Sequence, residues 1–161
     1  EIRRCRMILF IGMICGMKVM KMKDKDLVIY PSNFLPGINI NVVFKESEMY
    51  DNLRPLFDTY GFGFLAPDIK MIILDGEMFI GDDGLTFDDM RMIEAHEVSH
   101  ILLKHGGGER SDNDELEADL GAYLLLKQNN IPTDKLVEIF PERHGIEFNE
   151  KLLTMVEDRI N

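Results

Sequence analysis

His96-Glu97-Val98-Ser99-His100 constrains this chain more than any other stretch. Two histidines four residues apart share one face of a helix, so both imidazoles can turn toward a single metal ion. The pattern therefore asks for a helix through residues 96–100 and for a further metal ligand supplied from elsewhere. Glu97, beside the first histidine, is the residue type that can act on a metal-bound water.

The flanking sequence supports that helix. Thr86 opens it, with Asp89 three residues on in a capping-box arrangement. It is expected to run to about His105, where Gly106-Gly107-Gly108 stops it. A second helix is expected from Ser111 or Asp112 to about Gln128, with Leu116, Leu120, Tyr123, Leu124 and Lys127 along one face, ended by Asn129-Asn130-Ile131-Pro132. The short glycine loop lets the two helices face each other.

A catalytic zinc takes three protein ligands and keeps a fourth position for water. His105 is one candidate for the third ligand, but the three-histidine pattern H-E-x-x-H-x-x-G-x-x-H wants its last histidine at 106, which is Gly106, and glycine at 103, which is Leu103. As a residue at a helix C-terminus, His105 also suits the dipole there. Glu115 on the next helix is the stronger candidate. Asp119, one turn further, can accept the free ring N–H of a ligand histidine and so fix its tautomer. Glu117 points away from that face and is expected at the solvent.

HEVSH followed by ELEADLGAYLLL resembles the gluzincin metallopeptidases, and its compact spacing looks most like the ImmA/IrrE-like peptidase group. The likeness covers about residues 70 to 128. It implies an α+β, minimal zincin-like domain, with a small N-terminal sheet beside a helical C-terminal half that carries the H-E-x-x-H helix. It also implies Zn2+ as cofactor, His96, His100 and Glu115 as ligands, Glu97 as general base and Asp119 as the supporting carboxylate. Two features depart from the group: the short gap between His100 and Glu115, and Leu126-Lys127-Gln128 where the group ends its helix with methionine and proline. An oxyanion donor is not obvious, and Tyr123 and His144 are the candidates for it.

Upstream, strands are expected over Leu27–Tyr30 and Ile38–Phe44, and a helix over Ser47–Tyr60 that Pro55 splits or kinks. Asp75-Gly76 between Lys70–Leu74 and Glu77–Ile80 signals a hairpin. That hairpin, just before the metal helix, is the natural candidate for holding an extended substrate as an added strand. Downstream, helices are expected over Thr133–Phe140, ended by Pro141, and over Asn149–Ile160. The order, strands first and then helices, is α+β. One domain is expected over 27–161. Residues 1–26 stand apart: Arg3, Arg4 and Arg6 precede an apolar run from Met7 to Met17, and lysines follow. Upstream or poorly structured sequence, an apolar element packed on the domain, and a targeting signal are the readings, in that order.

A net charge of -11 argues against a nucleic-acid partner, which needs basic patches. The apolar run is too short to span a bilayer as a helix, so no stable membrane insertion is expected. Cys5 and Cys15 suggest no disulfide framework, which fits a cytoplasmic protein. The leading expectation is a zinc-dependent peptidase acting on a protein or peptide substrate, with regulatory proteolysis as one role. The alternative is a non-catalytic, zinc-stabilised structural or interaction domain, and Glu97 discriminates, because a purely structural site has no use for a base beside its ligand.

Overall fold

The structure, a computed structural model, describes residues 27–66, 70–80, 84–106 and 110–160. Residues 1–26, with their apolar run, and Gly107 and Gly108 lie outside the described residues. The architecture is α+β, with two compact units that divide between Thr86 and Phe87.

The N-terminal unit holds β1 (Leu27–Pro31), β2 (Asn39–Val43), α1 (Tyr50–Tyr60), β3 (Gly63–Ala66) and β4 (Met71–Asp75). They form one mixed sheet in the order β1-β2-β4-β3, with β2 and β4 parallel and both edge pairs antiparallel. Strand periodicity assigns the faces. Val43 and Ile73 turn to one side, where Tyr50, Leu53 and Phe57 of α1 pack on them with Phe64. Ile40, Val42, Ile72 and Leu74 turn to the other and are fully buried.

The sequence expectations need three corrections here. The first is the hairpin at Asp75-Gly76, which does not form. Gly76–Phe79 is a 3-10 turn, capped by Asp75, whose Oδ1 accepts from the Glu77 N–H at 3.0 Å. A two-residue type I′ hairpin needs positive φ at both central residues, and Asp75 has φ -73. The glycine serves a close approach instead, since a Cβ there would lie 2.5 Å from the Phe44 ring. Because β4 pairs on both sides, it has no free edge to accept a substrate strand. Second, the helix expected from Ser47 starts at Tyr50, since the Ser47 hydroxyl instead accepts from Met49 in a preceding turn. Pro55 sits inside it without splitting it. Third, β3 was not foreseen, because its four residues, Gly63 to Ala66, carry no alternation.

The C-terminal unit holds α2 (Phe87–Leu102), α3 (Asp112–Gln128), α4 (Asp134–His144), a 3-10 segment over Glu150–Met155 and the short α5 (Glu157–Ile160). The single helix expected over Asn149–Ile160 is therefore broken at Val156. Helix α3 is buried on all sides from Ala118 to Leu126, more than the one apolar stripe expected of it, while Lys127 is exposed. Asp89, in the first turn of α2, is buried and paired with Lys135.

Gly121 sets how closely α2 and α3 pack. A Cβ on it would lie 2.7 Å from Ser99 Oγ, 2.8 Å from Ser99 Cβ and 3.0 Å from Ile160 Cδ1. Ser99 has no room to retreat, being fully buried with its hydroxyl bonded to the Ala95 carbonyl. Helix propensity alone would make Gly121→Ala stabilising by about 1 kcal/mol. Overpacking of a tight contact costs about 1–3 kcal/mol and wins here. Gly121→Ala is thus expected to lower the unfolding midpoint, read by thermal or urea denaturation, and to weaken metal binding by parting the helices that carry the ligands.

Candidate metal centre

Helix α2 brings His96 and His100 together as their spacing requires. Their rings meet edge to face with centroids 4.7 Å apart, and the two Nε2 atoms are 3.0 Å from each other. Helix α3 supplies Glu115. Its phase is pinned by a capping box, in which the Ser111 hydroxyl accepts from the Asp114 N–H and the Asp114 carboxylate accepts from the Ser111 N–H at 2.9 Å. That start puts Glu115 in the first turn, with Oε2 3.2 Å from His96 Nε2 and Oε1 3.5 Å from His100 Nε2.

Among the described residues these three make the one group of histidine, cysteine or carboxylate side chains that could hold a metal ion. The spacing fits the task. Ligands about 2.0–2.1 Å from a tetrahedral zinc stand about 3.3 Å from one another. The separations of 3.0, 3.2 and 3.5 Å bracket that value. Two imidazoles and a carboxylate suit a zinc-like divalent cation.

Asp119 holds the first histidine from behind. Its Oδ1 accepts from His96 Nδ1 at 2.7 Å, which fixes the proton on Nδ1 and leaves Nε2 for the metal side. Asp119 is in turn gripped by two residues. His144 Nε2 donates to Oδ2 at 2.7 Å, and an Arg143 Nη1 lies 3.3 Å from Oδ1. Burial alone would raise the Asp119 pKa, but the hydrogen bond from His96 and the charge of Arg143 keep it below the usual carboxylate range.

His144 and Arg143 reach Asp119 because α4 does not end at Pro141. A proline lacks only its own N–H, and this helix gives up one bond and continues another turn to His144, closed by Gly145 in the left-handed region. His144 is therefore a support for Asp119, in place of the oxyanion role expected of it. Tyr123 is not brought to the site either. Its hydroxyl donates to Glu150, and its ring packs on Phe148.

Glu97 lies on the same helix with its side chain buried. Burial pushes its carboxyl above the ordinary range, against the pull of His96 and Arg110. Arg110, from the loop before α3, was not foreseen. One Nη2 lies 3.5 Å from Glu97 Oε2, and Nη1 lies 3.9 Å from Glu115 Oε1. Loop arginines carry no pattern that ties them to a site, so nothing in the sequence could have singled it out.

Glu117 needs a correction. It is not at the solvent but mostly buried, accepting from His105 Nε2 at 3.1 Å and from Arg159 Nη2 at 2.6 Å. His105 is no metal ligand in this arrangement. It stands behind His100, with the two Nδ1 atoms 2.8 Å apart.

Without metal, the charge balance between the two histidines is lopsided. Burial opposes a charge on His96, but hydrogen bonds to Asp119 and Glu115 outweigh it and raise its pKa to about 9. Burial and the nearby charges of His96 and Arg110 lower His100 to about 3. At neutral pH, His96 thus carries a proton on Nε2 and presents it to Glu115 and His100, in the space a cation would take. A metal must displace that proton. Uptake at pH 7 should release about one proton, and affinity should fall about tenfold per pH unit below about 9. Calorimetry of zinc binding in two buffers of different ionisation heat measures this.

No protein-family model matches the chain, and comparison with curated proteins and with solved structures yields no match. Among the described residues no helix is long and apolar enough to cross a membrane.

Proposed function

We propose that this protein is a zinc-dependent metallopeptidase that hydrolyses peptide bonds in a protein or peptide substrate. The observation that carries the reading is the convergence of His96 Nε2, His100 Nε2 and a Glu115 carboxylate beside the buried Glu97. Three ligands from the protein suit a catalytic zinc better than a structural one, which is closed by four. The motif likeness to the ImmA/IrrE-like group points the same way and suggests cleavage of a regulatory protein.

When bound, zinc would lower the pKa of a water in its fourth position to about 7 and polarise the scissile carbonyl. The remaining work falls to the chain. Glu97 takes the proton from the attacking water and returns it to the leaving amine, which its raised pKa suits, because a base works best when its pKa lies near the operating pH. Asp119 keeps the His96 ring oriented, while Arg143 and His144 hold Asp119 in place. Arg110 offers a guanidinium beside both Glu97 and Glu115, in reach of negative charge that develops on the substrate.

The test is digestion of a mixed pool of unstructured peptides by zinc-loaded protein, read by mass spectrometry. New termini are expected, and they should vanish with a chelator and return with added zinc. A zinc-loaded protein that leaves every peptide intact would speak for the structural alternative.

A further inference from the structure

Asp119 supports His96 from behind, but among the described residues no carboxylate stands behind His100. What stands there is His105. Helix α2 does not run on to the glycines. It ends in a Schellman turn with Lys104 in the left-handed region at φ 60. The Lys104 N–H bonds the Ile101 carbonyl at 3.1 Å, and the His105 N–H bonds the His100 carbonyl at 3.0 Å. That turn commonly brings its last residue against the side chain five positions earlier, in an apolar contact. Here both partners are histidines, with centroids 5.0 Å apart and Nδ1 atoms 2.8 Å apart.

The proton assignments along this contact follow from hydrogen-bond logic. If His100 offers Nε2 to a metal, its proton sits on Nδ1, and the facing Nδ1 of His105 must accept. His105 then carries its own proton on Nε2, where Glu117 Oε2 accepts at 3.1 Å. Arg159 Nη2, from α5, donates to the same oxygen at 2.6 Å and keeps that carboxylate charged and fixed. The His105 side chain is 4% exposed, so water does not compete for either nitrogen. Only one tautomer of each ring satisfies every partner, and it is the tautomer in which His100 Nε2 is bare.

We propose that His105 is a positioning residue for the second metal ligand. With Glu117 and Arg159 behind it, His105 locks His100 in the metal-binding tautomer and ring orientation, as Asp119 does for His96. The proposal rests on the reading of His96, His100 and Glu115 as a metal centre, and the experiment separates the two.

The experiment is competition of zinc against a chromophoric chelator, for wild type, His105→Phe, His105→Gln and Glu117→Ala. His105→Phe keeps the ring volume and removes the acceptor, and about 10–100-fold weaker zinc binding is expected, the usual cost of losing such a support. His105→Gln restores an acceptor oxygen and should recover most of the affinity. Glu117→Ala touches neither ligand and should give an intermediate loss, which decides the matter if His105→Phe does not fold. Nitrogen-15 spectra of metal-free protein add a readout that mere packing would not move. His100 should carry its proton on Nδ1 in wild type and populate both tautomers in His105→Phe. Wild type that binds no zinc overturns the metal centre itself and this proposal with it. Wild type that binds zinc, with Phe or Ala variants of unchanged affinity and an unchanged His100 tautomer, overturns the role of His105 alone.

Discussion

Glu97→Gln is expected to keep its zinc and lose hydrolysis. Glutamine preserves the shape of the side chain and can still bond to Arg110, but it cannot take a proton from water. A positioned general base contributes about 10²–10⁴ in rate, or about 3–5 kcal/mol of barrier. The loss should fall on kcat, because Glu97 is not one of the three converging ligands and has no part in holding the metal. Stability should not suffer, since burial already disfavours the charged form of this carboxylate and the neutral amide removes that penalty. Kinetics on any peptide identified from the mixed pool, together with metal analysis of the same sample, gives both numbers. Equal rates for Glu97→Gln and wild type would remove the base from the account.

Glu115→Ala should have the opposite signature, losing the metal first and activity as a consequence. It deletes the only anionic ligand of the three and the only one from α3, which leaves two imidazoles from a single helix. The cost should exceed the ~100-fold upper range for a residue that merely supports a ligand. Zinc at one hundred times its dissociation constant stabilises a folded protein by about 2.7 kcal/mol. For a chain of this size that corresponds to a rise of about 5–10 °C in the unfolding midpoint. Wild type should show this rise on zinc addition and Glu115→Ala should not, as read by differential scanning calorimetry. A variant with the full zinc-dependent rise would mean that the ligand is a different residue.

The parts of the site that a helix repeat can announce were legible in the sequence. His96 and His100, four apart, and Glu115 and Asp119, four apart, need only helical periodicity to share a face. The structure brings all four together. The supports were hidden for particular physical reasons. Pro141 reads as a helix end, yet α4 runs through it and carries Arg143 and His144 to Asp119. Triple glycine reads as the stop of α2, yet Lys104 adopts the left-handed conformation first and swings His105 behind His100. Glu117 reads as solvent-facing from its angle on the helix, yet Arg159, forty-two residues on, folds back over it. Pairings that distant leave no local pattern. In the sheet, Asp75-Gly76 carries the composition of a hairpin turn, but the Asp75 side chain bonds forward to Glu77 and starts a 3-10 turn instead.

X-ray absorption at the zinc edge reads directly whether His96, His100 and Glu115 hold the metal, on protein purified without chelators and reconstituted with one equivalent of zinc. The expected result is one zinc per chain with two imidazoles and one carboxylate, all about 2.0–2.1 Å away, no sulfur, and a fourth light-atom ligand that an added anion can replace. A sample that takes up no stoichiometric zinc, or one whose shell contains three imidazoles or a closed set of four protein ligands, would contradict it.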